Sequence, residues 1–145
     1  MYRSIEADLE RALREVVETM CFAMVLQRAE YPQTSGQEVA LRVSFRGGES
    51  GEMHIRMESA AAEALAAGFL GRDTADLTGE EVRQVAGELS NMICGCFLSN
   101  NRSDLEFEIS TPELDPPPAN LPGAAEQAFL LDSGCIQLSF ATANG

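Results

Sequence analysis

Between Val39 and Met57 the apolar residues fall on every second position, and no other feature limits so strongly what this chain can fold into. Val39, Leu41, Val43 and Phe45 point one way while Arg42, Ser44 and Arg46 point the other. Beyond Arg46-Gly-Gly-Glu-Ser-Gly51, Met53, Ile55 and Met57 alternate with Glu52, His54, Arg56 and Glu58. A period of two in both runs predicts a β-hairpin with one buried face, its turn supplied by the glycines. The apolar face of such a hairpin has to be covered by another layer. His54 falls on the polar face, where a solvated or salt-bridged role is expected rather than that of a ligand or base.

The flanking segments supply that layer. Ser4 is placed to cap a first helix, in which Ile5, Leu9, Leu13, Val16, Met20 and Met24 recur at helical spacing. Glu10/Arg14 and Arg11/Glu15 make charge pairs four apart on its outer side, and Tyr31-Pro32 is expected to end it. Ser59 is expected to cap a short alanine-rich helix that stops near Gly71. Thr78-Gly-Glu-Glu81 reads as a capping box opening a helix to about Ser99. Three strands follow, at 104–110, 126–132 and 135–141, the last two joined by a tight turn at Ser133-Gly134. The connection 111–123, with Pro116-Pro117-Pro118, reads as a stiff surface loop, because too little chain follows it to build a second core. The order α-β-β-α-α-β-β-β predicts an α+β fold: one domain over 1–145, with a mostly antiparallel sheet and its helices packed on one face.

Composition narrows the class of function. The 145 residues carry a formal net charge of −13, all ten basic residues are arginine, and no Lys or Arg occurs after Arg102. Phosphates along a duplex would repel such a surface, so nucleic acid is an unsuitable partner, whereas a basic spot on another protein is a suitable one. No apolar run reaches the roughly 18 residues of a membrane span, and the N-terminus lacks the apolar stretch of a secretory signal, so a cytoplasmic address is expected. Cys94-x-Cys96, with Cys21, Cys135 and the one histidine, does not make a zinc ligand set. The cysteines read as small buried thiols, and no metal site of the chain's own is expected.

The helix after Thr78 carries the candidate site. At about 100° per residue, Val82, Val85, Ala86, Leu89, Ile93, Cys96 and Phe97 share one arc, wide enough to seat the helix on a sheet. Glu81, Gln84, Glu88, Asn91, Gly95 and Ser99 form a second, polar stripe. Such stripes are ordinarily solvated faces. Two members are costly for that purpose: asparagine is a poor mid-helix residue, and Gly95 costs roughly 1 kcal/mol relative to alanine. On these grounds alone the stripe reads either as a solvated face or as a functional ridge.

Glu88-x-x-Asn91-Met-Ile-x-Gly95, preceded by Leu77-Thr78-Gly79-Glu80-Glu81-Val82, resembles the signature helix of the CheX/CheC/FliY family of chemotaxis phosphatases. "VVETMCFAM" (16–24) is similar to the family's first helix, and the remaining elements arrive in the family's order. CheC-type members carry two E-x-x-N helices. Here the matching place in the first helix reads Glu18-Thr-Met-Cys21, so the resemblance is to the single-site, CheX-like branch.

The resemblance implies a protein phosphatase acting on the phosphoaspartate of a CheY-like response-regulator receiver domain, and it suggests a homodimer. It implies Asn91 and Glu88 as the catalytic pair: Asn91 orienting the attacking water, Glu88 anchoring the receiver's lysine. Gln84, Gly95 and Glu81 would touch the partner, Gly95 by letting its backbone come near. No cofactor of the chain's own is implied; the Mg2+ belongs to the receiver. The alternative is a binding module of the same fold that sequesters or docks a receiver in a signalling or flagellar-switch complex, with little catalysis.

Overall fold

The computed structural model describes residues 4–32, 37–117 and 123–143. Helix α1 (Ile5–Met20) opens as expected, with the Ser4 hydroxyl accepting the Ala7 N–H at 3.2 Å. Glu10 pairs with Arg14 at 2.9 Å, and Leu9, Leu13, Val16 and Val17 are buried. The helix stops well before Tyr31-Pro32. The N–H groups of Cys21 and Ala23 both return to the Val17 carbonyl at 3.1 Å, and Phe22 adopts a left-handed φ of 56°. That residue turns the chain into an additional strand, β1 (Val25–Ala29). The sequence around it continues a helical pattern through Met24 with no Gly or Pro to announce the stop, so the periodicity overran the true end.

The expected hairpin follows as β2 (Glu38–Gly47) and β3 (Gly51–Glu58), with Leu41 opposite Ile55 and Val43 opposite Met53. Helix α2 (Ser59–Leu70) ends at Gly71, whose left-handed φ of 67° closes the helix. Ser59 is its first helical residue rather than its cap, and Glu58 holds the cap position. The Glu58 carboxylate makes no capping bond; it accepts the Cys135 N–H at 2.7 Å, tying the start of α2 to a neighbouring strand. Where α2 crosses the end of α1, a Cβ on Gly68 would lie 2.0 Å from the Cys21 carbonyl oxygen, so only glycine permits this approach.

A single 3₁₀ turn (Thr74–Asp76) leads into α3 (Gly79–Asn101), and four strands complete the chain. These are β4 (Phe107–Ile109), β5 (Glu113–Leu114), β6 (Ala125–Leu131) and β7 (Gly134–Thr142). The predicted order is present, with β1 and the short β5 added to it. The antiparallel sheet runs β1-β6-β7-β3-β2-β4, and β5 also pairs with β2. Its inner face carries Leu41, Phe45, Met53, Ile55, Phe129, Leu138 and Phe140, all buried beneath the three helices. Its outer face carries ion pairs such as Arg56 with Glu38 at 3.1 Å, and His54 lies 3.1 Å from Glu52. Of the alternation at 104–110 only Phe107 packs on the core, while Leu105 and Ile109 remain partly exposed. Asp115 makes a bend ahead of Pro116 and Pro117, and Pro118 lies outside the described residues.

Candidate functional site

Helix α3 begins with the predicted capping box. The Thr78 hydroxyl accepts the Glu81 N–H at 3.1 Å, and the Glu81 carboxylate accepts the Thr78 N–H at 3.0 Å. Val82, Val85, Ala86, Leu89, Ile93 and Phe97 are buried, as the wheel places them, and the Phe97 ring meets Phe140 at 4.5 Å between centroids. Cys96 is half-buried at the margin of that arc. With one face seated on the sheet, the opposite stripe is turned outward.

Along that stripe the predicted residues separate by environment. Gln84 and Glu88 are exposed, whereas Asn91 and Gly95 are half-buried. Glu88 and Asn91 stand three residues apart, so their Cβ atoms lie about 5–6 Å from each other. Glu81 is engaged within the chain: besides closing the cap it pairs with Arg72 at 2.5 Å. The Thr78 amide and the Arg72 guanidinium hold its carboxyl below the usual carboxylate range.

Asn91 is unlike its neighbours. Its Oδ1 is fully enclosed and has no hydrogen-bond partner among the described residues. A buried acceptor left unpaired costs roughly 1–3 kcal/mol, so it calls for a reason. The enclosure follows from helix geometry. Gly87, Asn91 and Gly95 repeat at intervals of four and share one line along α3. A Cβ on Gly87 would lie 3.6 Å from Pro112, and one on Gly95 would lie 3.6 Å from Ile109. The connection from β4 to β5 therefore runs antiparallel to α3, level with Asn91 and bordering the ridge. Sequence reasoning found Asn91 but missed this strap; glycines four residues to either side of it were the available signal. Rotation about the broad, two-fold Cβ–Cγ torsion exchanges the two ends of the carboxamide and turns its oxygen outward.

Burial pushes the Cys94 thiol up to about 12 and those of Cys21 and Cys96 to about 11, so these thiols stay protonated at neutral pH. Among the described residues no three His, Cys, Asp or Glu side chains gather as a metal site would require. No helix among them is long and apolar enough to cross a membrane.

A protein-family model described as chemotaxis phosphatase CheX matches residues 39–115, just over half of the chain. That span includes Glu88, Asn91, Gly95 and the strap. Among solved structures, chemotaxis protein CheX from Vibrio vulnificus is 20% identical, covers 97% of both chains and superposes with a TM-score of 0.78. Chemotaxis protein CheX from Desulfovibrio desulfuricans is 18% identical over 95% of this chain and 98% of its own, with a TM-score of 0.73. A chain of the CheX–CheY–BeF3–Mg2+ complex from Borrelia burgdorferi is 18% identical over 96% and 97%, with a TM-score of 0.69. At these identities the likeness is one of fold. No curated protein sequence matches the chain.

Proposed function

The chain belongs to the CheX chemotaxis phosphatase family, and from that premise we propose that it accelerates hydrolysis of the phosphoaspartate on a CheY-like receiver domain. One observation carries the reading: a carboxylate and a carboxamide stand one turn apart on the outward ridge of α3, and the amide oxygen has no partner among the described residues. The solved CheX–CheY complex supports a receiver as the partner.

In the reaction a water oxygen attacks phosphorus in line, the bond to the receiver's aspartate oxygen breaks, and inorganic phosphate leaves. The receiver brings its own Mg2+ and lysine, which neutralise the phosphoryl charge. What this chain adds is position. The Asn91 Oδ1, turned outward, accepts a hydrogen bond from the water and aims it without adding negative charge to an anionic centre. Glu88 pairs with the receiver's lysine and fixes the register, an ion pair desolvated only on docking. Gln84 and Gly95 meet the partner beside them; Glu81, being held by its cap and by Arg72, serves at the rim. A receiver domain as partner supports a cytoplasmic site of action.

We assign the functional unit as a homodimer. Strand β1 is a sheet edge, and Phe22, Met24 and Leu26 around it are 84%, 64% and 52% exposed. An apolar edge with unpaired backbone groups is suited to pairing across a two-fold axis.

The enclosed Asn91 oxygen favours a second reading, a binding module that docks a receiver without accelerating its decay. Phosphate release from a phosphorylated receiver separates the two. The phosphatase reading expects release to accelerate in proportion to added chain, and Asn91→Ala to abolish most of that acceleration. Tight binding with unchanged decay would leave only the binding module.

A further inference from the structure

Helix α1 lies antiparallel beside α3, and two side-chain bonds set the level of one against the other. Asp8 accepts a hydrogen bond from the Asn101 amide at 3.0 Å, and Glu15 accepts the Cys96 thiol at 3.1 Å. Arg11, between Asp8 and Glu15, is therefore level with Ser99, the last residue of the ridge. Arg11 is exposed and, at about 100° per residue, stands opposite the buried Leu9 and Leu13, so it faces outward as the ridge does. Ser99 lies about 12 Å past Asn91 along the helix axis, and packed helices stand about 8–10 Å apart. The two distances together put Arg11 about 15 Å from Asn91.

The charge of Arg11 is free. The expected pair of Arg11 with Glu15 is replaced by the bond from Cys96 to Glu15. Arg11 borders a hollow of about 460 Å3 with Arg14 and Arg28, in which the acids are Glu10 and Glu15. Glu10 is held by Arg14 at 2.9 Å and by Arg28 at 3.4 Å. Both carboxylates are thus engaged, and one guanidinium is left over. Among the described residues Arg83 is the one other arginine without a carboxylate within 4 Å. Its guanidinium lies back over Gly79, in a hollow shared with Glu63 and Asp115, whereas Arg11 stands among other arginines.

A receiver's phosphorylation site is anionic, because carboxylates and the phosphoryl group hold its Mg2+. Such a surface is repelled by a chain of net charge −13, and a free guanidinium at the edge of the contact offsets part of that repulsion. One partner's share of a standard interface, about 800 Å2, makes a round footprint about 16 Å in radius. Centred on Asn91, that footprint reaches Arg11.

Resting on the phosphatase reading above, we propose that Arg11 is a docking residue for the receiver domain. An Asp or Glu on the receiver, about 15 Å from its phosphoaspartate, pairs with the Arg11 guanidinium as the phosphoryl group meets Asn91. Arg11 touches no reacting atom; it selects receivers that carry an acid at that place.

The test is the Kd for a receiver held in its activated form by beryllium fluoride and Mg2+, at low and high salt, beside kcat and KM for phosphate release. Arg11→Gln is expected to melt with the wild type, since Arg11 is exposed and Gln is about as good a helix residue. It should weaken binding about threefold at low salt, as loss of a rim ion pair does, and raise KM in step. Arg11→Lys, which keeps the charge, should weaken it less. Arg46→Gln removes the same charge from the outer face of the sheet and should change Kd by less than about 1.5-fold. At about 1 M salt, where the screening length is about 3 Å, the variants should converge. An Arg11→Gln Kd no weaker than that of Arg46→Gln overturns the docking role, as does a loss that persists at high salt. Binding that depends on Arg11 in a chain with no effect on phosphate release would sink the phosphatase reading and keep the docking role. A wild-type chain that binds no activated receiver overturns both.

Discussion

Helices α1 and α3 both carry a glutamate followed three residues later by a small polar residue, Glu18 with Cys21 in one and Glu88 with Asn91 in the other. Only the second can form a site, and the reason lies in the backbone as much as in the side chains. In α3 the pair sits mid-helix, with ten residues of helix beyond Asn91 and the strap passing alongside at Gly87 and Gly95. In α1 the pair straddles the helix end: Cys21 is the buried C-cap, and Phe22 immediately turns the chain away. Cys21 is also where α2 crosses, through Gly68. One helix end has become a packing joint, and the other helix keeps an open ridge. The spacing can serve as a site only where the helix continues past it.

The difference can be broken from either side. The largest effect is expected at the joint. Gly68→Ala drives a Cβ into the Cys21 carbonyl and should cost about 3 kcal/mol, at the upper end of overpacking, read as a lower denaturant midpoint in urea. Next is Cys21→Asn, which restores the E-x-x-N spacing in α1. It buries an amide without a partner, so stability should fall by about 2 kcal/mol while receiver turnover does not rise. A doubling of turnover would show that spacing alone makes a site.

Smaller effects come from the start of α3. Thr78→Ala removes one half of the capping box and should cost about 1 kcal/mol, with phosphate release at saturating receiver little changed. The smallest effect is in pH. The Glu81 carboxyl is lowered from its usual 4.5 by the Thr78 amide and Arg72, so its contribution is present above about pH 4.5 and is lost as pH falls through the folded-state value. The difference in Tm between wild type and Glu81→Gln should therefore be largest near neutrality and close as pH drops below 4.5.

What could be read from residues alone follows the range of the interactions involved. The capping box and the hairpin were legible because each is settled within a few residues, by Thr78 with Glu81 and by alternation around a glycine turn. The outward ridge was legible because helical phase is local. The end of α1 was not: it rests on Phe22 in a left-handed conformation, which non-glycine residues rarely adopt and which the pairing of β1 with β6 makes worthwhile. Nor was the cap of α2, because Glu58 is drawn to Cys135, 77 residues away. At the candidate site, Glu88 and Asn91 could be named, but the strap that borders their ridge belongs to a segment that reads as an ordinary strand and loop. Which residue of a polar stripe is enclosed depends on what passes over it.

The central claim is a division of labour, with Asn91 aiming the water and Glu88 holding the receiver. Saturation kinetics of phosphate release with Asn91→Ala and Glu88→Ala test it directly. The account predicts about a hundredfold loss of kcat with little change in KM for Asn91→Ala, and a KM raised about thirtyfold with most of kcat retained for Glu88→Ala. Equal loss of kcat in both variants, or full activity in Asn91→Ala, would contradict it.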